Sequence, residues 1–285
     1  MAYTSFADLL VAAEEHETLA AAALHLEALE TGSAPEDLRA RMRTTLDVMR
    51  SAVADGRSGR ASSRSGLVGG DAARLTAVGP GPAGPFFTDS LAAALAVAEV
   101  NASMGRIVAA PTGGASGVLP GVLLSLAERT EADDDALVDA LFTAAAVGGI
   151  IAARASLSGA AGGCQAEIGS AAAMAAAAGV EMLGREPSVS GHAASLALQG
   201  LLGLVCDPVG GLVEVPCVVR NATGTAVALA GIEMARAGIE FPIPFDEVVD
   251  AMGSVGRSLP PSLRETAIGG LAGTPTARNL KLEDR

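Results

Sequence analysis

The chain has 285 residues, half of them apolar, and a net charge of −13. That acidity excludes an ordinary nucleic-acid binder, which needs a basic surface to replace phosphate counterions, and it disfavours an anionic membrane surface. Aromatic residues make up only 2% while glycines number 35, so the apolar share is mostly Ala, Val and Leu, and a compact, mostly helical body is expected.

In residues 5–30, Leu9, Leu10, Ala13, Leu19, Ala23, Leu26 and Leu29 recur at roughly helical spacing. With Ser5 as N-cap and Gly32 as stop, one first helix is predicted, carrying both His16 and His25. A second helix starts at Pro35 and runs through Leu38, Met42, Leu46 and Met49 to Gly56. Residues 57–70, RSGRASSRSGLVGG, have no periodicity, and residues 79–85, GPGPAGP, form a second break. Beyond residue 87 apolar helices alternate with Gly-containing loops: helices are predicted at 89–104, 117–128, 134–155, 165–183, 188–205, 218–237 and 245–257. Residues 107–110 form only a weak strand candidate. The pattern is an all-α, compact multi-helix domain spanning residues 1–285, with leading helices at 1–56, Gly/Ser/Pro-rich loops at 57–87 and a helical core at 88–285. Its Gly-rich inter-helix loops are where function is expected.

The longest apolar run, ALFTAAAVGGIIAA at 140–153, is bounded by Asp139 and Arg154. It falls short of the roughly 20 residues a membrane span needs and reads as a buried core helix. The N-terminus carries acids where a secretion signal would be basic, so a cytoplasmic protein without membrane contact is expected.

Three loops carry candidate chemistry. APTGGASG, 110–117, places glycines before a helix N-terminus, where backbone N–H groups and the helix dipole suit a carboxylate or phosphate. SGAAGGCQAEIGS, 158–170, holds Cys164. VCDPVGGLVEVPCVVRNA, 205–222, holds Cys206 and Cys217 among glycines and prolines. An odd, small cysteine count in a reducing compartment is no disulfide framework. Each cysteine read singly is a small buried hydrophobe. Read together, in Gly/Pro loops beside helices where the thiolate is expected to be favoured, they suit a metal. Zinc prefers paired Cys and His spacing, and no C-x-x-C pair occurs. Three thiolates on an iron–sulfur cubane would leave one iron open as a Lewis acid.

Four stretches carry a resemblance: NASMGRIVAAPTGGASGVLPGVL, GGCQAEIGSAAAMAAAA, CDPVGGLVEVPCVVRNA and LRETAIGGLAGTPTAR, in this order, with SGLVGG at 65–70 as a fifth. They resemble the motifs of the α-chain of iron–sulfur-dependent L-serine dehydratases. The resemblance implies a helical catalytic domain, a [4Fe–4S] cluster and conversion of L-serine to pyruvate and ammonia. It implies Cys164, Cys206 and Cys217 as cluster ligands, and a separate β-chain with an ACT-type regulatory region as partner; association into a homo-oligomer is compatible with it. The sequence departs from the pattern where the family has His and Thr and this chain has Arg64 and Val68. It also ends KLEDR, without the terminal cysteine that caps the iron in some members.

The expected mechanism is loss of serine's hydroxyl at the open iron after removal of the α-proton. Ser65, Thr112, Gly113 and Gly114 are candidates for the carboxylate site, with Ser116 behind them. His192 is the candidate general base. Glu167, Asp207 and Glu214 read as supporting or capping groups. Pyridoxal phosphate needs a lysine Schiff base, and Lys281, in a polar tail, is the one lysine, so that cofactor is not expected. The rivals are the same chemistry on threonine, a modified hydroxy amino acid or a thiol amino acid, a subunit without the cluster, and a structural zinc site.

Overall fold

The computed structural model describes residues 3–280; Lys281 lies outside the described residues. Among these, thirteen α-helices follow one another: α1 Phe6–His16, α2 Leu19–Thr31, α3 Pro35–Arg57, α4 Asp71–Val78, α5 Pro85–Ala102, α6 Val118–Thr130, α7 Asp134–Arg154, α8 Gly159–Gly162, α9 Ile168–Met182, α10 Pro187–Gln199, α11 Cys217–Arg236, α12 Phe245–Ser258 and α13 Pro275–Asn279. No strand occurs among the described residues, only one isolated parallel bridge between Cys206 and Arg264. The fold is all-α, and the weak strand expected at 107–110 is absent.

Helix α9 is the centre. Every residue from Ile168 to Val180 is buried, so the helix has no polar face and must be enclosed on all sides. Helices α6, α7, α10 and α11 enclose it. Helix α5 forms a second layer with α3, α4, α6 and α11. Small residues permit this closeness: a methyl group on Gly117 would lie 2.2 Å from the Ala94 carbonyl oxygen of α5. Helix α7 is long and apolar enough to cross a membrane, yet 67% of that stretch is buried within the protein, against α9 and α2.

Two predicted segments differ. The first helix is in fact two: Glu17 turns left-handed at φ 68° and ends α1, and the Thr18 hydroxyl caps α2 by accepting from Ala21 N at 3.1 Å. His16 and His25 therefore sit on different helices, with ring centroids 4.4 Å apart. Residues 57–87 are not all loop, because they contain α4. Its N-terminus is capped from elsewhere: Glu99 Oε1 of α5 accepts from Asp71 N at 2.5 Å and Ala72 N at 3.4 Å. A cap supplied from a distant helix leaves no mark in the local sequence.

Candidate active site

Three helices bring their N-termini to one place. Helix α9 follows the single 3₁₀ turn Cys164–Ala166, α11 begins at Cys217, and α6 follows the 3₁₀ turn Gly113–Ala115. Asn221 of α11 ties two of them together. Its Oδ1 accepts from Gly117 N at 2.9 Å, and its Nδ2 donates to the Gly114 carbonyl at 2.8 Å and the Cys217 carbonyl at 3.0 Å. The third joins through the Thr112 hydroxyl, which donates to Glu167 Oε1 at 2.7 Å. Converging N-termini concentrate positive potential, which suits bound anions and thiolates.

The cysteines line this end of the bundle. Cys164, Cys206 and Cys217 are 2%, 2% and 8% exposed. Cys206 is held from the C-terminal segment: its N–H donates to the Leu263 carbonyl at 2.9 Å and its carbonyl accepts from Glu265 N at 2.7 Å. The wall is glycine where it must be. A methyl group on Gly159 would lie 2.7 Å from Glu167 Oε2 and 2.9 Å from Cys206 Sγ, and one on Gly114 would lie 3.4 Å from Glu167 Oε1.

Burial raises all three thiols, Cys164 to about 11 and Cys217 to about 12, with Cys206 raised as well. In the free thiols, burial therefore works against the thiolate form that the helix N-termini were expected to favour. Smaller contributions report who is near whom. Cys206 feels the charges of Cys164, Glu167, Glu265 and Cys217, while Cys217 feels Cys164 and Glu167. Arg220 lowers both Cys164 and Cys217. Glu167 is raised, first by burial and then by Glu265, against the Thr112 hydroxyl.

The three buried cysteines are the thiol donors gathered at this end of the bundle. Among the described residues, no three His, Cys, Asp or Glu side chains are grouped closely enough to hold a single metal ion. Zinc, at about 2.3 Å from each sulfur, needs that closeness. The three thiols come from separate segments and lie near enough to feel one another's charge, a donor type that iron–sulfur clusters use.

The other candidates divide. Thr112, Gly113 and Gly114 stand beside Glu167 and Asn221: a methyl group on Gly113 would lie 3.3 Å from Asn101 Oδ1. Ser116 is spent locally, donating to the Gly113 carbonyl at 2.8 Å. Ser65 is tied to Glu214, through its hydroxyl and through its N–H at 3.1 Å, and Ser63 joins them at 2.5 Å. Glu214 thereby fastens the 63–68 loop to the segment leading into Cys217. Val68 packs in an apolar cluster with Ala72, Leu95 and Val218, so a threonine hydroxyl there would be buried. Arg64 is exposed.

His192 is not brought to the cysteines. On α10, its Nδ1 accepts from Phe241 N at 3.2 Å, and it lines a cleft of about 370 Å³ with Phe6, Phe241 and Phe245. Ser190, just before it, bonds the Ala177 carbonyl at 3.1 Å, nine residues along α9 from Ile168. That is about 14 Å of helix. The sequence reading missed Asn221, Gly159 and Glu265. Asn221 had a signal, since it lies four residues after Cys217 on the same helix face. Gly159 and Glu265 lay within quoted stretches, in the Cys164 loop and in LRETAIGGLAGTPTAR, but nothing in their spacing tied them to the cysteines.

The sequence profile of the family described as serine dehydratase alpha chain matches residues 8–272. The chain belongs to that family. Within it, the probable L-serine dehydratase alpha chain of Bacillus subtilis is 50% identical over 254 residues, covering 88% of this chain and 84% of that one. The L-serine dehydratase alpha chain of Peptoniphilus asaccharolyticus is 43% identical over 249 residues, covering 86% and 85%. The L-serine dehydratase of Mycobacterium tuberculosis is 46% identical over 184 residues, which are 63% of this chain but 40% of that longer protein. The five motifs of this serine dehydratase alpha-chain family member supply the loops just described: Thr112–Gly114, Cys164, Cys206, Cys217 and the segment that brackets Cys206.

Proposed function

We propose that this chain is the catalytic chain of an L-serine dehydratase, converting L-serine to pyruvate and ammonia with a [4Fe–4S] cluster held by Cys164, Cys206 and Cys217. The observation that carries the reading is the mutual proximity of three buried thiols, scattered through the sequence, at the end of the bundle where α9 and α11 begin. Membership of the serine dehydratase alpha-chain family supports the reaction. When bound, the cluster supplies a Lewis-acidic iron with an open position, which assists departure of a hydroxyl group.

The chain's own residues account for recognition of the amino acid. The Thr112–Gly114 turn at the start of α6 offers backbone N–H groups and dipole to the substrate carboxylate. Glu167 and Glu265 place two carboxylates near each other, an arrangement that favours an incoming ammonium group. Burial of the thiols and of Glu167 keeps bulk water from competing at these contacts. His192 has no part in this scheme, because its position is at the Phe6–Phe245 cleft. Val68 bears on packing and gives no reason to prefer a different amino acid. The family's alpha-chain name supports a separate partner chain, for which an ACT-type regulatory region is proposed, and the working compartment is proposed to be the cytoplasm.

Anaerobic reconstitution with iron and sulfide, followed by pyruvate release from L-serine with and without a candidate β-chain, tests the reading. The protein is expected to take up both elements in similar amounts and to turn over serine. Cys206→Ala is expected to lose turnover and most of the bound iron. A chain that stays colourless and iron-free after reconstitution, or one that acts on another hydroxy amino acid but not on serine, overturns it.

A further inference from the structure

The stretch between Cys206 and Cys217 has no helix longer than the 3₁₀ turn Val209–Gly211, so local helical geometry does not set the distance between the two thiols. Arg220 does what the loop cannot. It lies one turn beyond Cys217 on α11 and grips the chain on both sides of Cys206. Its Nη1 donates to the Val205 carbonyl at 2.9 Å and stands 2.8 Å from Asp207 Oδ1. Both side chains are largely buried, at 14% and 3% exposure.

Asp207 carries the grip onward. Its Oδ2 accepts from Leu271 N at 2.7 Å. The neighbouring Gly270 has φ +59°, and a methyl group there would lie 2.3 Å from that same oxygen. The C-terminal segment is thus fitted to Asp207 and cannot carry a side chain at 270. The same segment brackets Cys206 through Leu263 and Glu265. A buried ion pair adds little net stability compared with an apolar pair of the same size, so a positional purpose accounts for its presence better than a stabilising one.

We propose that Arg220 is a positioning residue: by clamping Val205 and Asp207, it fixes Cys206 relative to Cys217 and locks the C-terminal segment against Cys206. Asp207 and Gly270 are the other end of the same clamp. The proposal concerns the folded chain itself. Only its second readout rests on the cluster reading.

The first readout uses the cluster-free protein. Iodoacetamide labelling, followed cysteine by cysteine by mass spectrometry, is expected to be slow at all three buried thiols. In Arg220→Gln, and independently in Gly270→Ala, Cys206 is expected to label at least tenfold faster; in Gly270→Ala, which leaves Arg220 beside Cys164, Cys164 keeps its rate. Arg220→Lys retains one donor and the charge, and is expected to restore part of the protection. The second readout is loss of iron to a chelator from the reconstituted protein, expected to be at least tenfold faster in Arg220→Gln. Unchanged Cys206 labelling in both Arg220→Gln and Gly270→Ala overturns the proposal. Equal acceleration at all three cysteines in Gly270→Ala also overturns it, because the role would then be general stability. Failure of the wild-type chain to load iron sinks the cluster reading and leaves the labelling result to stand.

Discussion

At the scale of single residues, the site is built from groups whose surroundings define them. Glu167 would be an ordinary carboxylate on a helix surface. Here it is enclosed, bonded by Thr112 and set near Glu265, and burial raises its pKa. A charged partner for such a group contributes about 1.5–3 kcal/mol per hydrogen bond. If Glu167 meets the substrate ammonium, Glu167→Gln should raise KM for L-serine about ten- to hundredfold while lowering kcat less. Steady-state kinetics of the reconstituted enzyme read the split. A fall in kcat with KM unchanged would assign Glu167 to the chemistry instead. Glycine plays the complementary part, since at Gly159 a single methyl group would occupy the space shared by Glu167 and Cys206.

At the scale of elements, the recurring device is a helix N-terminus capped from another helix. Glu99 of α5 caps α4, and Asn221 of α11 satisfies Gly117 N ahead of α6. Glu181 of α9 caps α2 by accepting from Ala20 N at 3.0 Å, and also takes the Thr143 hydroxyl of α7. Burial raises the Glu181 pKa, with Asp139 adding to it, against the Thr143 and Ala20 hydrogen bonds. A carboxyl raised on folding contributes stability that is full below its unfolded pKa and is lost as pH climbs through the folded value. Glu181→Gln keeps the acceptor and removes that loss. Its melting temperature should therefore rise relative to wild type between pH 5 and pH 8, with the gap closing toward acid. A gap that widens toward acid would show that the ionised form is the stabilising one.

At the scale of the whole molecule, the first helix is joined to the twelfth. The Phe6 and Phe245 rings meet edge to face at 5.8 Å, and Asp246 accepts from Phe6 N at 2.8 Å and Ala7 N at 3.3 Å. Helix α12 is thereby anchored to α1 before the chain continues into the segment that brackets Cys206. Phe6→Ala should cost about 3–5 kcal/mol, read as a fall in the denaturant midpoint with an unchanged slope. Separate transitions for the N-terminal helices and the remainder would instead make α1 an appendage.

How much of this was legible beforehand follows from the range of each interaction. The helices of the core were readable because apolar spacing is repeated within each one, and the bounds of α3, α7 and α12 differ little from those expected. The break at Glu17 was not, because the Leu and Ala spacing continues across it while the backbone turns left-handed. Helix α4 was hidden by its Gly/Ser-rich surroundings and by a cap on another helix. The resemblance named the cysteines and the Thr112–Gly114 loop, whereas His192 was chosen for its proximity in sequence to Cys206, and α10 holds it at the far part of α9. The sequence by itself determined the helical class, the family and the set of thiols, since composition, periodicity and ordered motifs are all local or linear properties. Which residues surround those thiols was decided only by tertiary packing. Arg220, Asn221, Glu265 and Gly159 acquire their places through contacts between segments far apart in the chain, and no local pattern encodes the distance between two helix ends.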